Sequence, residues 1–206
     1  MLLAHPRCSF ASSLGTFLSV RKEEWLAQMK ARESGRPLHE EQIAAWADCY
    51  DVLLHTLPAI QAQHPELILI FEYELPYEAG RRPDVILLSQ EQVVILEFKM
   101  KYRVLRADVD QVAAYARDIR EYHFESRNRK VTSLLVVTRI NHTIELRGSV
   151  LVSSGDRLQE ALLDTLQAGT TACDATAWMS SRYEPLPTIV EAAQMIMRKE
   201  ALPHIR

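Results

Sequence analysis

Glycine and cysteine are scarce in this sequence, at 6 and 3 among 206 residues. So little glycine excludes collagen-like repetition, and three widely spaced cysteines, Cys8, Cys49 and Cys173, exclude a disulfide scaffold. They also leave no thiolate cluster for zinc, so reduced, partly buried thiols are expected. Long apolar runs are missing. The longest, Val85 to Leu88 and Val93 to Leu96, fall far short of a membrane span. Neither sign of charge dominates: 24 Lys and Arg stand against 27 acids, a formal net charge of -3. Such a balance exerts no global pull on a polyanion, so any nucleic-acid contact must come from a local patch. The opening residues lack a basic region followed by an apolar stretch and a cleavage site, and a cytoplasmic protein is the expectation. No Gly-x-x-x-x-Gly-Lys phosphate loop is present, and no internal repeat.

What remains is an ordinary globular composition, 48% hydrophobic and 25% charged, with length for one decorated domain. Residues 1–39 read as an N-terminal extension, weakly patterned to Val20 and then helical over Arg21 to Glu33. Ile43, Trp46, Ala47, Tyr50, Leu53, Leu54, Leu57 and Ile60 recur at helical spacing behind Glu40 and Glu41, predicting a helix over about 40–62. Three runs rich in Ile, Val and Leu follow, Leu67 to Leu75, Pro83 to Ser89 and Gln92 to Met100, with short links that suggest hairpins. A second helix is expected from Asp108 to about His123, then an almost wholly apolar strand, Val131 to Val137, as suits a position covered on both faces. Ser149 to Ser153 reads as a short edge strand and Asp156 to Gln167 as a helix. A last helix starts at Thr188, where Thr188 and Glu191 form a capping box. It has no polar tail, which suggests that the chain continues or that this end docks on something. The expected division is a core over 40–153 and a C-terminal helical region over 154–206.

The chemistry concentrates in Arg82-Pro83-Asp84 and Glu97-Phe98-Lys99. Strand alternation puts Glu97 and Lys99 on one face and Phe98 on the other. A turn centred between Gln90 and Glu91 sets Asp84 opposite Glu97, Ile86 opposite Ile95 and Leu88 opposite Val93. Directly opposed side chains have Cβ atoms about 5 Å apart. Two carboxylates at that distance repel by about 3 kcal/mol at an effective dielectric near 20. A divalent cation removes that repulsion, and two carboxylates with one backbone carbonyl suit Mg²⁺, which keeps several waters. Gln111 and Tyr115 share a helix face one turn apart. Asp108 with Gln111 also makes a workable cap pair, so Gln111 has a structural reading beside the functional one.

With these motifs the sequence resembles the PD-(D/E)xK nuclease superfamily, through Pro83-Asp84 and Glu97-Phe98-Lys99; Gln111-Val-Ala-Ala-Tyr115 is similar to the Gln-x-x-x-Tyr motif of its RecB-like branch. More loosely, the whole chain resembles the N-terminal nuclease-like region fused to helicases in some bacterial proteins, although no helicase motif occurs here. The resemblance implies an α/β, restriction-endonuclease-like core of order αβββαβ, with a mixed central sheet flanked by helices and helical additions at both ends. It implies a metal-dependent phosphodiesterase acting on DNA, or on RNA. Asp84, Glu97 and the Phe98 carbonyl would hold Mg²⁺ or Mn²⁺. Lys99 would position or deprotonate the attacking water, Gln111 would orient water or metal, and Tyr115 would touch a phosphate. Glu74 is the expected assisting acid, at the end of the first strand, with Glu72 as the fallback. RecB-like relatives often add an upstream His ligand; His55 and His64 are the nearby options, and neither is assigned.

Substrate requires positive charge beside the acids. Between Glu97 and Lys130 there are nine Lys or Arg against six acids, and Arg81 and Arg82 flank Asp84. Arg81, Arg82, Lys101 and Arg103 are the expected backbone contacts. The competing reading keeps the nuclease fold without hydrolysis, as a module that binds nucleic acid or docks on a helicase or another subunit. The number of subunits is open.

Overall fold

The computed structural model describes residues 2–33, 38–78, 80–167, 171, 173–184 and 196–198. Its strands are β1 (Leu2–Leu3), β2 (Phe10–Ser13), β3 (Ile68–Phe71), β4 (Val85–Leu88), β5 (Gln92–Lys99), β6 (Lys130–Val137), β7 (Ile144–Arg147) and β8 (Val150–Ser154). Its helices are α1 (Leu14–Ser19), α2 (Lys22–Arg32), α3 (Glu40–Gln63), α4 (Arg106–Tyr122), α5 (Leu158–Thr165) and α6 (Ala175–Met179). The fold is α/β. Among the described residues the strands make one mixed sheet of eight, in the order β1-β2-β3-β4-β5-β6-β8-β7. β1 to β5 pair antiparallel, β6 runs parallel to β5 and β8, and β7 returns antiparallel to β8. The run from α3 to β6 has the expected helix, three strands, helix, strand order.

Alternation along the strands sorts the core into two faces. Leu69, Phe71, Val85, Leu87, Val94, Leu96 and Phe98 pack with α1, α2, α3 and α5. Ile70, Ile86, Leu88, Val93 and Ile95 pack against Tyr115, Ala116 and Ile119 of α4 and Trp178 of α6. Glu97 and Lys99 therefore extend the Val93 and Ile95 row beyond the apolar interior, on the α4 side. Every strand residue of β4 is buried, as expected of a strand covered on both faces.

α3 is the scaffold of the first face. It contributes Trp46, Cys49, Tyr50, Leu53, Leu57 and Ile60 to the core and carries Pro58 in its interior. Proline removes the donor for the carbonyl four residues back, here that of Leu54, on the helix side whose side chain is 37% exposed. Water can meet that carbonyl, so the apolar stripe carries the helix past the proline.

Several expectations are corrected. The N-terminal stretch, weakly patterned in sequence, adds strands to the sheet: β2 pairs with β3, and Ser13 caps α1 by accepting from the Thr16 amide at 3.4 Å. β8 is interior, because Ile144–Arg147 forms the true edge outside it. That strand was hidden by its two charged residues, which face solvent. α4 begins at Arg106 with Leu105 as its cap, so Asp108 is not an N-cap; it lies buried in the first turn, where Lys101 Nζ donates to both oxygens at 2.7 and 2.9 Å. The short helix α6 had no sequence expectation. The start of the last helix, at Thr188, lies outside the described residues. No helix among the described residues is long and apolar enough to cross a membrane.

Candidate active site

β4 and β5 pair in the expected register, Ile86 with Ile95 and Leu88 with Val93. Asp84 stands one residue ahead of β4, so the same register sets it beside Glu97. Hydrogen bonds complete the juxtaposition. The Asp84 amide donates to Glu97 Oε2 at 3.4 Å, and the Phe98 amide donates to Asp84 Oδ2 at 2.7 Å. A strand residue sends its N–H and C=O toward the same neighbour, so the Phe98 carbonyl faces the Asp84 side as well. Lys99 Nζ donates to Glu97 Oε1 at 2.8 Å, and from α4 Gln111 Nε2 donates to the same oxygen at 3.0 Å. Gln111 Nε2 also lies 3.0 Å from the Tyr115 hydroxyl, which accepts from it.

Asp84, Glu97, Phe98, Lys99 and Gln111 line a cleft of about 720 Å³ between the N-terminal turns of α3 and α4, walled also by Gln42, Trp46, Cys49, Glu72, Arg82 and Met100 among others. Glu97 is only 2% exposed, and its charge is costly there. Burial first, and then the charge of Asp84, pushes the Glu97 carboxyl up to about 8, against the pull of Lys99. Burial, followed by Glu72, raises Asp84 to about 7, opposed by the Phe98 amide and Lys99. Burial also works against the Lys99 ammonium, but Glu97 and Asp84 outweigh it and its pKa rises. Lys99 is thus a fixed positive charge in the cleft.

Glu72 is the residue that strand alternation misplaced. β3 ends at Phe71, and Glu72 takes a left-handed backbone with φ 51°. Its amide donates to the Asp84 carbonyl at 3.1 Å, and its carboxylate accepts from Trp46 Nε1 at 2.8 Å. Burial raises its carboxyl to about 7, with Trp46 and Arg82 opposing. A period-two pattern cannot foresee a positive φ on a glutamate. The expected assistant, Glu74, lies beside the cleft residues and not among those lining it: its carboxylate accepts from Arg82 Nη2 at 2.8 Å, and its side chain is 41% exposed. Trp46 had been read only as part of an apolar stripe; nothing in that stripe marks it as a donor to an acid.

The rim also differs from expectation. Arg81 donates to buried Asp118 at 2.7 Å and lies 5.0 Å from the centre of the Tyr115 ring. Arg82 bridges Glu33 and Glu74, at 2.5 and 2.8 Å. Lys101 is held by Asp108. None of the three offers unpaired charge. Tyr115 is 3% exposed, and its hydroxyl accepts from Gln111 Nε2 at 3.0 Å. Arg103 is exposed and makes no ion pair among the described residues. His55 and His64 stay away from the acids: His55 Nδ1 is 2.7 Å from the Asp51 carbonyl, and His64 pairs with Glu66 at 3.6 Å.

Among the described residues no three His, Cys, Asp or Glu side chains converge closely enough to hold an ion. The donor set at the cleft is two carboxylates and a carbonyl, all hard oxygens, which matches the few protein ligands that Mg²⁺ takes alongside its waters. No protein-family model matches the chain, and a search of curated proteins gives no significant match.

Proposed function

We propose that this chain is a divalent-metal-dependent nuclease of the PD-(D/E)xK kind, with a restriction-endonuclease-like core running from α3 to β6, and that it hydrolyses phosphodiester bonds of DNA in the cytoplasm. One observation carries the reading: Asp84 and Glu97 are brought together in the wall of a cleft by the β4–β5 register, with Lys99 donating to Glu97. Glu72, Asp84 and Glu97, whose pKa values are raised by burial and by neighbouring acids, line that cleft with Glu41; of the lining cations Lys99 donates to Glu97, while Arg82 and Lys101 are turned to acids outside it. A fold keeps such an excess of negative charge where a cation offsets it.

Asp84, Glu97 and the Phe98 carbonyl are the ligands in this reading. Mg²⁺ or Mn²⁺, when bound, supplies charge neutralisation and Lewis acidity at the scissile phosphate. Lys99, as an ammonium, orients the attacking water and offsets charge on the phosphate oxygens. Gln111 fixes Glu97 and Lys99 relative to each other through the oxygen they share, and Tyr115 holds Gln111 in place. Glu72, its amide on the Asp84 carbonyl and its carboxylate held by Trp46, tunes the charge of Asp84.

The second reading is a nuclease-fold module that docks on a helicase or another partner without cutting. The internal pairing of Arg81, Arg82 and Lys101 favours it, since little free charge is left on the rim. Cleavage decides between them. Purified wild type should cut single-stranded DNA, duplex DNA or RNA in Mg²⁺ or Mn²⁺ and stop in chelator, while Lys99→Ala should be inert and folded. Wild type that cuts none of the three leaves the docking reading.

A further inference from the structure

Among the described residues the sheet ends on β7, which pairs with β8 on one side and is exposed from Glu145 to Arg147. The Ser154 amide donates to the Thr143 carbonyl at 2.9 Å, continuing the register that sets Glu145 opposite Val152 and Arg147 opposite Val150. In an antiparallel pair, backbone groups turn to alternate sides. Thr143, Glu145 and Arg147 therefore spend theirs on β8, and Ile144 and Leu146 send their N–H and C=O outward. The opposite edge, β1, is two residues long.

Apolar and charged residues alternate along β7. Ile144 packs with the core on the face covered by α3 and α5, so Leu146 belongs to that face too, and it is 71% exposed. Glu145 and Arg147 share the other face, where Arg147 Nε donates to Glu145 Oε1 at 2.7 Å and the side chains are 42% and 44% exposed. Sheet edges are commonly blunted by a lysine, a proline or a bulge. This one keeps a bare leucine between two opposite charges.

An acid and a base two residues apart make the strand complementary to its own reverse. With a second β7 laid antiparallel about a two-fold axis at Leu146, that residue exchanges both backbone hydrogen bonds with its counterpart, as its outward groups require. Glu145 then faces Arg147 of the partner subunit in a non-hydrogen-bonded pair, where Cα atoms approach to about 4.5 Å, and the two leucines meet on the opposite face. Moving the axis to Glu145 or to Arg147 sets like charges against each other, which is unfavourable. Charge thus picks the register.

We propose that β7 is a self-association edge, through which two copies of this chain join in an antiparallel β7–β7 contact centred on Leu146. Such a contact uses the same surface twice and closes at two copies. β7 lies three strands from β5 in the sheet order, so the acids take no part, and the proposal stands apart from the nuclease reading. A strand of four residues makes a short contact, and the dimer dissociates in the micromolar range or above.

The test is sedimentation velocity of the full chain from about 1 to 200 µM. Wild type should move from monomer toward a species of twice 23.6 kDa, and no larger. Leu146→Pro removes an outward N–H and leaves the β8 ladder whole, as an edge strand allows. It should weaken association at least about tenfold with little change in melting temperature. Glu145→Arg and Arg147→Glu should each be monomeric alone. Mixed in equal amounts they should form a dimer, because an all-basic edge then meets an all-acidic one, a rescue that the pair within one strand does not produce. Wild type that stays monomeric, that grows past the dimer, or that dimerises as strongly after these substitutions overturns the proposal, and so does a mixture that stays monomeric.

Discussion

Two buried polar clusters lie on the α4 side of the sheet, and they are built on opposite principles. Around His123 every group has a partner. Trp178 Nε1 donates to Ser126 Oγ at 2.9 Å, Ser126 Oγ is 2.9 Å from His123 Nδ1, His123 Nε2 is 3.4 Å from the Tyr73 hydroxyl, and that hydroxyl donates to the Met179 carbonyl at 3.3 Å. One neutral tautomer of His123 satisfies the chain from end to end, and burial pushes its pKa down to about 3. At the cleft, by contrast, Glu72, Asp84 and Glu97 repel one another, and among the described residues Lys99 is the lining cation that donates to one of them, Arg82 and Lys101 being turned to other acids. A closed, neutral network ties α6 to the end of α4 and stabilises. An open, overcharged one costs stability, which is the mark of a site kept for chemistry.

The sharpest break between the two is in what mutation removes. Lys99→Ala or Asp84→Asn should lower cleavage by about 10²- to 10⁴-fold while the melting temperature stays near wild type, measured by initial rates and thermal melts on the same preparations. Trp178→Ala should do the reverse. It empties a fully buried site and removes the indole donor to Ser126 Oγ, costing about 3–5 kcal/mol by denaturant titration, with activity lost only in proportion to the unfolded fraction.

pH should separate the clusters in sign. Carboxyls whose pKa rises on folding stabilise the protein below their unfolded pKa and lose that contribution as pH rises through the folded value. In chelator, stability should therefore decline between about pH 5 and pH 8, and Glu97→Gln should flatten the decline and gain about 1–2 kcal/mol at the alkaline end. His123 has a depressed pKa, so its contribution is present above its unfolded pKa and fades as pH falls. A loss of about 1 kcal/mol between pH 6.5 and 5.5 is expected from it, absent in His123→Phe when the two proteins' melts are compared across that range.

The site was more legible in the sequence than its surroundings. The register that joins Asp84 to Glu97 follows from a short turn and two apolar strands, both local features. Gln111 follows from helical spacing. Glu72 ranked only as the fallback to Glu74 because a positive φ interrupts alternation, and the paired state of Arg81, Arg82 and Lys101 escaped because Glu33, Asp118 and Asp108 come from other elements. β2 and β7 were missed for a related reason: one is a four-residue run of small and aromatic residues, the other an edge with charged side chains. Their pairing is decided by neighbours distant in sequence, not by their own pattern.

Titration with Mn²⁺, followed by thermal melting at pH 8 in wild type and Glu97→Gln, tests most directly whether the acid cluster is a cation site. Mass action predicts a saturable rise in melting temperature for wild type and little or none for the variant. A rise of equal size in both, or in neither, would contradict the account.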